Sequence, residues 1–431
     1  MLKQLFLTFY QTQIGVFIWR CLKKTANNIY IKKILVKLLG YDNLLNIPVN
    51  HIFLEHLYFS AKNKNVLVLM PAWGKSAACL YISELCGILK QMGYSLHLVV
   101  YGRTGVIPSD PLWDHAYALR PTLPAFGLSH PIGRDASNFD ANLIDDWVGE
   151  DLMSFIKLLE QNCHFDLCLC NYVFLSRSLT YFDNSTKKLL ITHDIFTDRN
   201  KRMNDVGIKS FYFGTDSEEE KKGLDRADCI IAIQEKERLF FNALTVKPVI
   251  TVPYIPQKKY KDFPFSELPL KVGYIASHHG PNILAIKEYI KLLRSEEKIE
   301  IYIAGPISAA IEQVTSNVHV LGIIDDLDEF YSKYDIYANP DLLESGLKIK
   351  TVETFSYGRP FVCTKAASAG ISVTKPYHQC ESIGKVAEIT KKCAKNPVIL
   401  AEMAGESKRV YNAFYDAYPV YEVMERIVKS A

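Results

Sequence analysis

The sequence predicts an α/β protein of two domains, each built on a parallel, doubly wound sheet. Strand-length apolar runs alternate with helical runs over residues 65–101, and the alternation restarts at Leu270 and continues to Thr364. Between them, Thr251-Val-Pro-Tyr-Ile-Pro-Gln-Lys-Lys-Tyr260 reads as a linker stiffened by two prolines. Parallel strands need long crossovers, usually helices. A chain of 431 residues also exceeds what one ordinary core supports.

In the first half, Asn65–Met70 is a buried strand, residues 77–92 a helix and Ser95–Tyr101 a second strand. Apolar runs at 166–174, 188–192, 229–233 and 248–252 continue the strand rhythm, while 103–146, with several prolines and aromatics, reads as irregular. In the second half, strands are expected at 271–276, 300–304, 318–322, 335–338 and 361–364. Helices are expected at 282–294, after 304, around 327–331 and up to Tyr357, and the last forty residues read as helical.

Composition narrows the class. Hydrophobic residues make up 48% and charged residues 23%, ordinary for a globular protein. The net charge of +3 hides an asymmetry, because residues 1–41 hold seven cations and no acid. Without those seven, 43 basic groups face 47 acidic ones, which argues against a nucleic-acid binder and for a localised basic arm. The ten cysteines are scattered, without metal-ligand spacing, and read as small buried hydrophobes of a reducing compartment. No secretory pattern is visible, and the apolar stretch Leu5–Trp19, broken by Gln11 and Gln13, falls short of a bilayer span, so a cytoplasmic protein is expected.

The densest chemical signal is Asn339-Pro-Asp-Leu-Leu-Glu-Ser-Gly-Leu-Lys-Ile-Lys-Thr-Val-Glu-Thr-Phe-Ser-Tyr-Gly-Arg-Pro-Phe-Val362. A strand ends, Gly346 and Leu347 open a helix, Gly358 caps it and Pro360 stops it. Ile349, Val352 and Phe355 form its core stripe, and Lys350 and Glu353, also three apart, share a neighbouring stripe. A cation and a carboxylate near a helix N-terminus, at the carboxyl edge of a parallel sheet, suit an anionic ligand. The plain alternative is a solvated Lys–Glu pair.

This segment resembles the donor-binding motif of family-four retaining glycosyltransferases, with matches at Gly346, Glu353, Gly358, Pro360 and Val362. The resemblance spans roughly residues 65–425, most strongly 271–371. It implies a GT-B fold, two Rossmann-like domains facing a central cleft, and a final helix around 411–428 crossing back to the first domain. The implied domains are 1–50 (basic extension), 51–255 (acceptor), 256–410 (nucleotide-sugar donor) and 411–431 (returning helix). In the family, two glutamates stand eight apart. Here Ser345 is eight before Glu353 and Glu344 nine, so the first glutamate is displaced or absent.

Three further constellations fit that frame. Ser277, His278, His279 and Asn282, in the turn and helix start after the strand at 271–276, would face the cleft and bind the diphosphate or the sugar, or Asn282 simply caps the helix. In Thr192-His-Asp-Ile-Phe-Thr-Asp-Arg199, His193 and Asp194 are the candidate catalytic residues. His193 would meet the donor sugar or leaving phosphate, Asp194 would orient His193 or face the acceptor, and Arg199 would offset negative charge. The alternative is a helix cap at Asp194 or Asp198. Gly74 and Lys75 belong to a loop across the cleft, which lacks the first glycine of a phosphate loop because Leu69 stands there.

Asp326 and Asp328 form an Asp-x-Asp that reads as a helix start rather than a metal site, so no metal or resident cofactor is expected. The reading as a whole is a retaining glycosyltransferase with a nucleotide-diphosphate sugar as co-substrate and a glycan, lipid-linked or protein acceptor. A non-hydrolysing sugar-nucleotide epimerase and a silent nucleotide-sugar-binding subunit are the alternatives. Residues 1–41 suit either an amphipathic segment on the inner face of an anionic membrane or an extension packed on the first domain.

Overall fold

The computed structural model describes residues 64–74, 76–102, 110–119, 140–161, 163–208, 213–260, 268–312 and 315–429, and elements are numbered over these. The first domain is a parallel sheet of β1 (Asn65–Met70), β2 (Ser95–Tyr101), β3 (His115–Leu119), β4 (Leu167–Asn171), β5 (Lys187–Ile191), β6 (Cys229–Ala232) and β7 (Val249–Thr251). The strand order is β3-β2-β1-β4-β5-β6-β7. Its described helices are α1 (Ala77–Gln91), α2 (Glu150–Glu160), α3 (Arg199–Asp205), α4 (Ser217–Leu224) and α5 (Glu235–Leu244). Strand β3 lies inside the stretch read as irregular. Its short His-Ala-Tyr-Ala-Leu pattern becomes a strand by pairing with β2, His97 opposite His115. The long apolar run after 166 divides, β4 ending at Asn171 and a 3-10 helix following at Val173–Tyr181.

The second domain is a parallel sheet of β8 (Leu270–Ile275), β9 (Ile299–Ala304), β10 (Val318–Gly322), β11 (Ile336–Asn339) and β12 (Phe361–Cys363), ordered β10-β9-β8-β11-β12. Its helices are α6 (Gly280–Leu293), α7 (Leu327–Lys333), α8 (Ile349–Ser356) and α9 (Ile383–Lys395). The helix expected after β9 is instead a 3-10 turn, Pro306–Ala310, entered through Gly305 at φ +90°. Both sheets reverse winding direction at one place, between β1 and β4 and between β8 and β11. Loops diverge there at the carboxyl edge of the strands and leave a crevice.

The returning segment is two helices, α10 (Val398–Ala417) and α11 (Val420–Lys429), broken at Tyr418-Pro419. Proline cannot continue a helix. Helix α10 packs on α8, and Tyr411 donates to the Pro256 carbonyl in the linker. Helix α11 buries Met424 and Ile427 and reaches α1. One apolar cluster therefore runs from Val66 and Leu85 through Val252 and Tyr254 to Val352, Tyr411 and Met424, joining the two domains through a shared core.

Candidate active site

Helix α8 presents one face to the core and another to the cleft. Ile349, Val352 and Phe355 are buried, while Lys350 and Glu353 line a cavity of 750 Å³ together with Trp73, Tyr172, Ser277, His279 and Asn282. This cavity lies at both winding reversals, between the loops after β1 and β4 on one side and after β8 and β11 on the other. The α8 pattern was legible because its two stripes need only helical spacing.

Lys350 Nζ donates to Asn282 Oδ1 at 2.9 Å and stands 3.7 Å from Asp341 Oδ2. Its ammonium lies 5.1 Å above the Tyr274 ring, and burial lowers its pKa to about 8. Lys348 Nζ, 3.8 Å from the same carboxylate, donates to the Ser345 carbonyl at 2.6 Å. Asp341 thus sits between two lysines. Burial alone would raise its pKa, yet Lys348 and then Lys350 hold it below the ordinary carboxylate value. Two cations share one buried anion, leaving an excess of positive charge at the opening of α8.

Glu353 accepts from the Tyr331 hydroxyl at 3.1 Å, and burial raises its pKa to about 7. Gly346, at φ +60°, donates its N–H to Glu237 Oε1 at 2.9 Å. A Cβ there would stand 3.2 Å from the His193 carbonyl, so glycine is required both by the backbone and by the close approach of the first domain. Leu347 is buried on the cavity wall.

Several expected residues fall differently. Glu344 does not replace the first family glutamate in this cavity. It is exposed on the other side of its loop and pairs with Lys236 at 2.6 Å. The buried carboxylate turned toward the lysines is Asp341. Of the paired histidines, His278 is exposed and does not line the cavity; His279 does, and burial and then Arg199 lower its pKa to about 4. Helix α6 begins at Gly280, so Asn282 is not its cap. Its amide donates to the Ser277 carbonyl at 3.2 Å and its Oδ1 is left to hold Lys350.

His193 has φ +62° and is almost fully buried. Its Nε2 lies 2.9 Å from Asn171 Oδ1, and the Asn171 amide donates to the Leu69 carbonyl. The proton therefore resides on Nε2, and burial lowers the pKa to about 3, keeping the ring neutral. Asp194 does not orient this ring. It pairs with Arg199 at 3.3 Å and accepts from the Ile195 N–H. Tyr172, with φ +69°, stacks on His193 at 4.3 Å and presents its own ring to the cleft. His193 reaches the second domain through its carbonyl instead. Asp194 and Asp198 make no side-chain cap of α3.

Gly74 lines the cavity, and Ser76 beside it caps α1 by accepting from Cys79 N at 3.3 Å. Lys75 lies outside the described residues, as does the arm at 1–41. Asp326 caps α7, accepting from the N–H groups of Asp328 and Glu329, while Asp328 is held by Lys259 at 2.6 Å. The nine cysteines among the described residues are buried and unbridged. No helix among the described residues is long and apolar enough to cross a membrane.

Lys348, Asp341, Tyr172 and Asn171 were not singled out from sequence. Lys348 had a visible signal, as a second cation two residues before Lys350. The others sit at strand ends whose roles only the packing of loops assigns.

Two parallel Rossmann-like domains facing across a cleft, with lysines and a glutamate on the helix at its floor, constitute the GT-B architecture. Residues 270–379 match the family described as glycosyl transferases group 1, and with the fold this makes the chain a glycosyltransferase. Solved structures agree on the fold. Sucrose-phosphate synthase from Thermosynechococcus elongatus is 14% identical, with a TM-score of 0.63 over 85% of this chain and 98% of its own. A point mutant of S. aureus TarM, in complex with fondaparinux, alpha-GlcNAc-glycerol and UDP, is 11% identical, with a TM-score of 0.60 over 85% of this chain and 100% of its own. The Anabaena HepE protein with UDP and glucose is 11% identical, with a TM-score of 0.55 over 85% and 99%. No curated protein sequence matches the chain.

Proposed function

We propose that the protein transfers a sugar, with retention, from a nucleoside-diphosphate sugar to a hydroxyl of a glycan or glycoconjugate acceptor. The observation that carries this reading is the pair Lys348 and Lys350 around Asp341 at the opening of α8, one turn from Glu353. The diphosphate would take up the excess positive charge and the free N–H groups of the helix start, and Glu353 would accept the ribose hydroxyls. The UDP bound by TarM and HepE supports a nucleoside diphosphate as the leaving group.

In transfer, the bond from the anomeric carbon to the diphosphate oxygen breaks and its electron pair stays on the diphosphate. The acceptor hydroxyl bonds to that carbon and passes its proton to the departing diphosphate. Lysines fixed in advance stabilise the charge as it develops. His193, neutral and with Nε2–H engaged by Asn171, is not a proton donor in this scheme. Its carbonyl lies against the Gly346 turn, and Tyr172 offers a flat apolar face to the sugar.

The test is a thermal-shift screen with UDP, GDP, dTDP and ADP, followed by their sugars. One nucleotide is expected to raise Tm, and Lys350→Ala to weaken its binding by roughly tenfold to a hundredfold, the loss of one charge-assisted contact. Unchanged affinity in Lys350→Ala would place the donor elsewhere.

A further inference from the structure

The first domain grips the donor-side loop of the second at one buried joint. Residues 234–237, just after β6 and at the start of α5, meet Gly346 and Gly370. Glu237 is 1% exposed, and its Oε1 accepts from Gly346 N at 2.9 Å and from Gln234 Nε2 at 3.3 Å. Gln234 is itself wedged against Gly370, where a Cβ would stand 2.5 Å from Gln234 Oε1. The Lys236–Glu344 pair crosses the same joint, but its side chains are 63% and 40% exposed, and such pairs contribute little. The buried bond from Gly346 to Glu237 therefore fixes how the two segments sit.

What this bond holds is the entry to α8. Gly346 stands two residues before Lys348 and four before Lys350, the cations that bracket Asp341. A shift of the turn displaces both. Glu237 is not on the lining of the donor cavity, so it acts on the lysines through the turn and not on the ligand.

Charge decides when the bond serves. Burial, and then the Asp194 carboxylate, raise the Glu237 pKa to about 8, while Lys348 acts in the opposite sense. Asp194 is itself paired with Arg199, and Tyr81 on α1, which also feels the Glu237 charge, is kept neutral by burial. The Glu237 carboxyl is therefore protonated at neutral pH.

A pKa raised by burial in the joint means that the joint is complete at low pH and is lost as pH climbs through about 8. Once ionised, Glu237 would also compete with a diphosphate for Lys348.

We infer that Glu237 is a positioning residue for the donor, holding the Gly346 turn across the domain boundary so that Lys348 and Lys350 meet the diphosphate in place. The inference rests on the transferase reading, and the experiment separates the two. The full-length parent, Glu237→Gln and Glu237→Ala are titrated calorimetrically with UDP, GDP, dTDP and ADP at pH 6.5 and pH 9. Glutamine keeps the acceptor and the shape but cannot ionise. At pH 6.5 it should match the parent, while alanine, which strands the Gly346 N–H, should weaken nucleotide binding about tenfold. At pH 9, one unit above the Glu237 pKa, the parent should bind about tenfold more weakly than Glu237→Gln. Any loss from Lys350, which titrates near 8, is common to both proteins and cancels. Hydrogen exchange over 341–350 in the unliganded proteins at pH 6.5 should quicken in Glu237→Ala and stay unchanged in Glu237→Gln. A merely structural carboxylate would lower Tm on removal without separating the parent from Glu237→Gln at pH 9. A parent that binds none of the nucleotides would sink the donor reading, and this role with it. A nucleotide-competent parent that Glu237→Gln tracks at both pH values, or unchanged affinity or exchange in Glu237→Ala, would overturn the role of Glu237 alone. If the alanine variant does not fold, the comparison at pH 9 decides.

Discussion

Glu353 shows how much of the site depends on where one residue is placed. In sequence it is a carboxylate on a helix stripe. In the fold, burial raises its pKa from 4.5 to about 7. A raised folded-state pKa gives stability that is complete below the unfolded value and is lost as pH climbs through the folded one. Glu353→Gln keeps the shape and removes the ionisation. The unliganded variant should therefore match the parent near pH 4.5 and be more stable at pH 8, by up to roughly 3 kcal/mol for a shift of this size. Thermal melts at the two pH values check this, and a Tm difference that does not grow with pH would show that burial is not the cause. The same variant should bind the nucleotide more weakly at pH 8, where the parent's carboxylate is the acceptor for ribose hydroxyls.

At the scale of elements, the turn into α8 and the start of α7 carry separate expectations. Gly346 sits at φ +60° against the His193 carbonyl. Alanine there meets both the left-handed backbone, worth about 1–2 kcal/mol, and the neighbouring domain. Gly346→Ala should lower Tm by a few degrees and raise the donor KM, because the loop carrying Lys348 must shift. A donor KM equal to the parent's, with Tm lowered, would detach this turn from the site. In α7, the Asp326 carboxylate is engaged by two backbone N–H groups, and the lysines on α8 supply the positive charge a diphosphate needs. Transfer should therefore persist in EDTA; loss on chelation with rescue by magnesium or manganese would refute that. Asp326→Ala should destabilise the protein by about 1 kcal/mol, as a lost helix cap does.

The whole molecule adds the question of the arm. Its seven cations without an acid are interleaved with Leu5, Phe9, Phe17, Trp19 and Ile31. Each cation at an anionic surface contributes about 1 kcal/mol, and an amphipathic segment adds apolar burial in the interface. A membrane role would suit a lipid-linked acceptor. Liposome sedimentation of the full chain against a version lacking residues 1–41, with anionic and neutral lipid at low and high salt, decides it. The expected result is sedimentation with anionic lipid that requires the arm and weakens with salt. Equal behaviour of the two proteins would end the membrane role, and failure of the shortened chain to fold would favour packing on the first domain.

What the amino-acid order determined by itself was whatever depends on near neighbours. Apolar periodicity over 65–101 and 270–364 specified strands and helices, two prolines marked the linker, and helical spacing put Lys350 and Glu353 on one face with Ile349, Val352 and Phe355 on another. What only the tertiary structure decided depends on atoms far apart in sequence. The edge strand β3 exists through its pairing with β2. Asn171, not Asp194, holds His193 because β4 and β5 lie side by side. Asp341 rather than Glu344 faces the lysines because the 341–346 loop turns one carboxylate into the cleft and the other toward Lys236. Burial then makes Glu353, Glu237 and Lys350 titrate far from their ordinary values. Desolvation and long-range pairing are properties of the assembled fold, and no local pattern in the chain encodes them.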